Sequence, residues 1–152
     1  MRTRSMKVID MAVHNVETIT ADKTICECAR QMRIEHVGSL VVVDDKLCPI
    51  GMITDRDIAI EVVARNLDPN TLTVGEAMTT PVVTATPDES MVVALARMRE
   101  FGIRRLPIVD DENKLVGVIS NSNLVEELSS LLDSLVRNIH SSKTREVALR
   151  SE

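Results

Sequence analysis

Aromatic residues are almost missing: the 152-residue chain has one Phe, no Tyr and no Trp. That argues against a single-strand binder that stacks bases on aromatic side chains. Basic blocks are missing too. With 18 Lys and Arg against 23 Asp and Glu the net charge is −5, which argues against a nucleic-acid or anionic-membrane surface. No apolar stretch approaches the length that spans a bilayer, and Met1-Arg2-Thr3-Arg4-Ser5 leads into mixed residues instead of a signal-peptide core. A cytoplasmic location is expected. Cys26, Cys28 and Cys48 are odd in number and lack paired metal spacing, while His14, His36 and His140 are scattered. Reduced structural thiols are the expectation, and no metal site. Nor is there a Ser/His/Asp, Cys/His or metal constellation of the kind an enzyme needs.

What is present is one pattern written twice. Sliding the chain against itself by 66 residues pairs Val8–Ile58 with Val74–Leu124 and gives 13 identities in 51 pairs, where about 3 are expected by chance. Gly51-Met52-Ile53-Thr54-Asp55-Arg56-Asp57 returns as Gly117-Val118-Ile119-Ser120-Asn121-Ser122-Asn123. A repeat of this kind is read before anything else, and two units this small are expected to share one core.

The first copy opens with a short helical turn near Lys7–Val13, and a β-branched strand follows at Val16–Thr20. Asp22 and Thr24 start a helix with Ile25, Cys28, Ala29 and Met32 facing inward. Leu40–Val43 and Ile50–Ile53 read as neighbouring strands around Asp44-Asp45-Lys46. Thr54 opens a second helix with Ile58, Val62 and Ala59 inward. The second copy repeats the order: a lead-in turn at Thr73–Thr79, a strand at Val82–Thr86, and a helix with Met91, Ala94, Leu95 and Met98 inward. Strands at Leu106–Val109 and Leu115–Ile119 follow, then a helix from Ser120. The expected segments are 1–67 (first repeat with its lead-in), 68–81 (linker and short helix), 82–130 (second repeat) and 131–152 (C-terminal helical extension). Leu124, Leu128, Leu131, Leu135 and Ile139 form an apolar stripe that must pack on something, and a homodimer is expected.

Thr54 and Asp57 admit two readings. Thr-x-x-Asp at a helix start is a capping-box variant, and Gly51 suits close packing at a strand start. The same geometry also suits phosphate, through the helix N-terminus and a hydroxyl, and ribose, through a carboxylate that accepts from two vicinal hydroxyls. Phosphate and ribose together suggest a nucleotide.

These residues, with Leu106-Pro107-Ile108-Val109-Asp110, Leu115-Val116-Gly117-Val118-Ile119-Ser120 and the lead-in Val74-Gly75-Glu76-Ala77-Met78, resemble the CBS-domain family, named after the regulatory domain of cystathionine β-synthase. The resemblance covers about Lys7 to Ser130. It implies an α+β tandem pair of β-α-β-β-α repeats with pseudo-two-fold symmetry: two packed sheets, helices outside, and clefts that bind AMP, ADP or ATP. Carried over, Thr54 takes phosphate and Asp57 ribose, with Arg56 a phosphate neighbour. Ser120 takes phosphate in the other cleft, but Asn123 stands where the family has Asp. An amide offers one acceptor oxygen and no charge. Arg104 and Arg105 are further phosphate candidates, or a solvated pair. Ile19, Val37 and Ile103 are expected around adenine, and Thr20, Gly38, Thr86 and Pro107 complete the candidate set.

Two functions follow. One is a non-catalytic sensor with no bound cofactor, whose adenine nucleotide is a regulatory ligand and whose regulated protein is not named by the sequence. S-adenosylmethionine or a dinucleotide shares the adenosine half. The other is an interaction protein with vestigial clefts that assembles through its helices.

Overall fold

Polar caps and β-branched runs divide both copies at equivalent positions. The structure, a computed structural model, describes residues 6–150; the outer ends of the first and last expected segments, 1–5 and 151–152, lie outside the described residues. The first copy runs α1 (Val8–Met11), β1 (Thr18–Thr20), α2 (Ile25–Glu35), β2 (Ser39–Val43), β3 (Pro49–Thr54) and α3 (Asp55–Asp57), which continues in π-helical turns over Ile58–Val63. The second runs α4 (Val74–Ala77), α5 (Met91–Phe101), β4 (Arg105–Val109), β5 (Leu115–Ser120) and α6 (Asn121–Arg150). The α+β class, the doubled order and the C-terminal helix are as the sequence implied.

Local chemistry repeats at the 66-residue offset. In the first hairpin the Asp44 carboxylate accepts the N–H groups of Lys46 and Cys48, each at 2.9 Å. In the second, Asp110 accepts those of Glu112 and Lys114, also at 2.9 Å. Leu47 and Asn113 both adopt φ 65° to close these turns, and the ladders are bulged at the same place, between Val42 and Val43 and between Ile108 and Val109. An aspartate that ties down its own turn thus fixes the register of each hairpin.

One strand does not repeat. β1 pairs parallel to β2, with the Val41 N–H reaching the Glu17 carbonyl at 3.3 Å. The residue 66 positions later is Pro107, which has no N–H to give the Val83 carbonyl. The strand expected over Val82–Thr86 is therefore cut to a single parallel bridge, Ala85 to Ile108. Among the described residues the first sheet has three strands and the second two.

Against the sheets, α2 buries Ile25, Cys28 and Met32, and α5 buries Met91, Ala94 and Met98. Ala29 and Leu95, also expected inward, are exposed. They occupy the same position in both copies, on the far side of the stripe from Cys28 and Ala94. At 100° per residue a step of four overshoots a line defined by i, i+3 and i+7. Ala59 is likewise exposed while Val62 is buried and Ile58 partly so. Here the helix is widened by bonds from Ala64 N–H to the Ala59 carbonyl and from Leu67 N–H to the Val62 carbonyl.

The two copies complete each other. Val8 of α1 packs in the core of the second copy with Met91, Leu106 and Ile119, and Val74 of α4 packs in that of the first with Ile25, Leu40 and Ile53. Backbone bridges follow the same exchange, Val13 to Val118 and Met52 to Thr79. Val41, Val43, Pro107 and Val109 are buried yet belong to neither helix-side cluster. By strand alternation they face the other way, so the two sheets cover each other. The hairpins are also joined directly, Leu115 N–H to the Leu47 carbonyl at 3.0 Å.

The helix expected at Ser120 and the C-terminal extension are one continuous helix. Leu124 is buried against β5 and α1, but every residue from Val125 to Leu149 is exposed. Among the described residues no helix is long and apolar enough to cross a membrane.

Cys28 supplies a test of this packing. It is fully buried, and burial pushes its thiol up to about 11 from 9.0. A thiol reagent at neutral pH is expected to label Cys26 and Cys48 in the native protein and Cys28 only on unfolding. Because the unfolded thiol ionises first, stability should hold up to about pH 9 and then fall by about 2–3 kcal/mol toward pH 11. Rapid native labelling of Cys28 would contradict the packing.

Candidate functional site

Each copy ends its last strand on a hydroxyl that starts a helix. The residue after it is tied back to the residue just before the other strand of its hairpin: Asp55 N–H to the Gly38 carbonyl and Asn121 N–H to the Arg104 carbonyl, both at 2.9 Å. These ties hold the two helix starts beside the segments leading into β2 and β4. Because the sheets pack face to face, a cleft opens at each of two symmetry-related places.

The first cleft holds about 620 Å³ and draws on both copies. Met52, Thr54, Asp55, Arg56 and Asp57 come from the first, and Val82, Val83, Ile103, Arg104 and Arg105 from the second, with Thr79 and Pro81 between. The second cleft holds about 160 Å³ and is lined by the equivalents: Val118, Ser120 and Asn123 against Val16, Glu17, Val37 and Ser39, with Arg105 reaching in. A further hollow of about 470 Å³ adjoins Asp57 and is lined by Glu61, Glu76 and Arg65. Its surplus of carboxylates opposes an anionic ligand.

The polar ends of the two clefts differ in what they leave available. In the first, Thr54 and Asp57 form a reciprocal cap: Asp57 N–H donates to Thr54 Oγ1 at 3.1 Å, and Asp57 Oδ2 accepts Thr54 N–H at 2.9 Å. The capping geometry is therefore real. It still leaves the Thr54 hydroxyl proton and Asp57 Oδ1 uncommitted among the described residues. In the second, the Ser120 hydroxyl donates to Asn123 Oδ1 at 2.6 Å while accepting Asn123 N–H at 3.2 Å. The hydroxyl proton and the one amide oxygen are spent on each other.

Charge divides the clefts further. The first carries Arg56, Arg104 and Arg105 against Asp55 and Asp57, a local surplus of one positive charge on a chain whose net charge is −5. Among the described residues none of those three guanidiniums is in an ion pair. In the second cleft Glu17 stands where the first has Val83, and Ser39 where it has Arg105; the position equivalent to Arg104 is Gly38, which has no side chain to reach the cleft. Arg105 lines both clefts, so the second sets it against Glu17 with no net charge, whereas the first keeps a surplus of one positive charge and favours an anionic group more.

Of the candidates read from the sequence, Thr54, Arg56, Asp57, Ile103, Arg104 and Arg105 meet in the first cleft, and Val37, Ser120 and Asn123 in the second. Ile19, Thr20, Gly38, Thr86 and Pro107 line neither. Ile19 is core and Pro107 is fully buried in β4. A hydrogen bond from Thr20 holds the exposed Asp22 carboxyl below its usual range. Thr86 donates its N–H and hydroxyl to Glu89, each at 3.2 Å. Gly38 sits against Asp55, whose Oδ2 a Cβ there would meet at 3.0 Å. Met52, Thr79, Pro81, Val82 and Val83 were not among the candidates. The exchange that places the stretch before one copy's first strand on the other copy's cleft carries no local sequence signal.

Comparison with known proteins agrees with this geometry. A family model of the CBS domain matches residues 8–64 and 74–130, two stretches separated by the same 66 positions. The chain belongs to the CBS-domain family. The CBS domain-containing protein YhcV of Bacillus subtilis is 39% identical over 124 residues, covering 81% of this chain and 86% of that protein. Protein MK0525 of Methanopyrus kandleri is 38% identical over 123 residues, which span 81% of this chain but 63% of that protein's length. Among solved structures, the CBS domain pair of protein MJ0100, in complex with 5′-methylthioadenosine and S-adenosyl-L-methionine, superposes with a TM-score of 0.75 at 27% identity, over 84% of this chain and 98% of that one.

The local energetics of the CBS motif are open to test. Thr54→Ala removes the cap oxygen and is expected to cost about 1 kcal/mol in urea unfolding. Arg104→Ala, at an exposed position without an ion pair, is expected to change stability by less than about 0.5 kcal/mol. A cost above about 1 kcal/mol for Arg104→Ala would mean that the arginine serves the fold and not the cleft.

Proposed function

We propose that this protein is a non-catalytic regulatory module that binds an adenosine-containing ligand, AMP, ADP or ATP, in the first cleft. The reading continues to a cytoplasmic homodimer that signals occupancy to a regulated protein. The single observation that carries it is the meeting of Thr54, Asp57 and three arginines, none ion-paired among the described residues, in one cleft built from both repeats. Asp57 Oδ1 accepts from a ribose hydroxyl without giving up the helix cap. The Thr54 hydroxyl and the guanidiniums of Arg56, Arg104 and Arg105 take phosphate oxygens. Met52, Pro81, Val82, Val83 and Ile103 supply an aliphatic slot for the base. Because the cleft's walls come from both copies, a bound nucleotide ties the two repeats together, which is how occupancy changes the shape of the module.

The competing reading, a protein that assembles through its helices, is favoured by the second cleft. Its small volume, its Glu17 and the closed Ser120–Asn123 pair leave little for a nucleotide. The two readings divide on ligand response. A nucleotide at 100 times its dissociation constant adds about 2.7 kcal/mol to the stability of the folded state, enough to raise the melting temperature by several degrees. Adenine nucleotides are expected to do so in a thermal-shift panel, and guanine and pyrimidine nucleotides to do less. No response to AMP, ADP, ATP or S-adenosylmethionine would leave the assembly reading in possession.

A further inference from the structure

Helix α6 leaves the body of the protein at Leu124 and continues with every residue from Val125 to Leu149 exposed. Helices draw most of their stability from packing an amphipathic face, and among the described residues nothing covers the face of this one. Leu128, Leu131, Leu132, Leu135 and Ile139 are each 47–57% exposed on a single stripe.

We propose that α6 pairs with the α6 of a second copy, antiparallel and in full overlap, with the two-fold axis passing between Leu135 and Val136. This names the interface of the homodimer proposed above and rests on that reading.

Three observations choose this occupant and this direction. The first is charge. Residues 121–133 hold Glu126, Glu127 and Asp133 and no basic residue, whereas residues 134–149 hold Arg137, Lys143 and Arg145 with one acid, Glu146. Antiparallel pairing sets each acidic half against a basic half, while parallel pairing sets acid on acid. The second is position. Glu127 and Arg145 are 18 residues apart, about five turns, so they lie on the same flank of the stripe. With the axis at 135–136, Glu127 falls beside the partner's Arg145 at both ends of the pair. Asp133 and Arg137 are on the back of the helix, already joined at 3.2 Å within one chain. The third is area. Closing two such stripes removes roughly 1,200 Å² from water, within the range of specific interfaces.

The register is tested by cross-linking the full chain in a Cys26→Ser/Cys48→Ser background, since Cys28 is buried. A short bifunctional maleimide is expected to join two copies of Leu135→Cys, whose sites lie together at the axis. Leu128→Cys should give no product, its sites being roughly 22 Å apart along the pair. Light scattering at micromolar concentration is expected to show a dimer for the parent and a monomer for Leu131→Glu/Leu135→Glu. Cross-linking at both positions would mean parallel pairing and overturn the proposal. A dimer that does not link at 135, or that survives the double substitution, would overturn it in favour of the repeat helices, where Ile34, Val63 and Val92 are exposed, and leave the homodimer standing. A monomeric parent would overturn both.

Discussion

Both faces of the central strands must be buried, and the rest of the molecule is arranged to meet that constraint. β2 presents Leu40 and Val42 to its own helices and Val41 and Val43 to the other sheet; β4 repeats this with Leu106, Ile108, Pro107 and Val109. Burying Val41, Val43 and Val109 contributes about 5–9 kcal/mol, on the scale of a whole domain's stability of about 5–15 kcal/mol. A separated first half, exposing Val41 and Val43, would lose about 3–6 kcal/mol of this. The exchanged helices α1 and α4 reinforce the same dependence, since each fills the core of the copy to which it does not belong in sequence. The clefts are a by-product of this closure, opening where the two sheets meet at the ends of β3 and β5.

A symmetric frame then carries asymmetric chemistry. Few positions separate the clefts: Asp57 against Asn123, Val83 against Glu17, and the arginine pair 104–105 against Gly38 and Ser39. Arg56 and the 104–105 pair add positive charge that Ser122, Gly38 and Ser39 lack, while Asp55 and Asp57 return two negative charges that Asn121 and Asn123 lack. The carboxylate keeps one oxygen beyond its capping duty, whereas the amide oxygen is taken by Ser120. Three arginines line the first cleft, whereas in the second Arg105 alone stands against Glu17. Capping and ligand binding are therefore not rival explanations of Thr54 and Asp57. The cap fixes the position of two residues that line the cleft and leaves the Thr54 hydroxyl proton and Asp57 Oδ1 without a partner among the described residues.

Much of this was legible in the sequence because it is written locally and twice. The repeat period, the hairpin aspartates Asp44 and Asp110, the caps at Thr24 and Thr54 and the buried stripes of α2 and α5 all follow from spacing and residue type. The lost strand near Val82–Thr86 was legible in principle, since Pro107 stands where Val41 donates a ladder bond, but the consequence falls some twenty residues away across the sheet. Ala29 and Leu95 were misplaced together, because spacing alone does not say which side of a three-residue stripe the sheet will cover. The cleft walls at Val82 and Val83 come from the exchange between copies, a non-local feature that no window of sequence contains. Ile19, chosen for adenine, is drawn into the helix-side core by the same alternation that makes β1 a strand.

The central claim is that the first cleft holds ribose on the uncommitted oxygen of Asp57. Isothermal titration of one adenine nucleotide into the parent, Asp57→Asn and Asn123→Asp tests it most directly. An asparagine at 57 can keep the cap with its one oxygen but then offers the ribose an NH2 group in place of a charged acceptor, a change worth about 1.5–3 kcal/mol or roughly tenfold or more in affinity. The account predicts one site per chain in the parent and a loss of that size in Asp57→Asn. In Asn123→Asp, the restored acceptor strengthens or creates binding in the second cleft. If Asp57→Asn binds as tightly as the parent while melting at a lower temperature, Asp57 is a helix cap and nothing more.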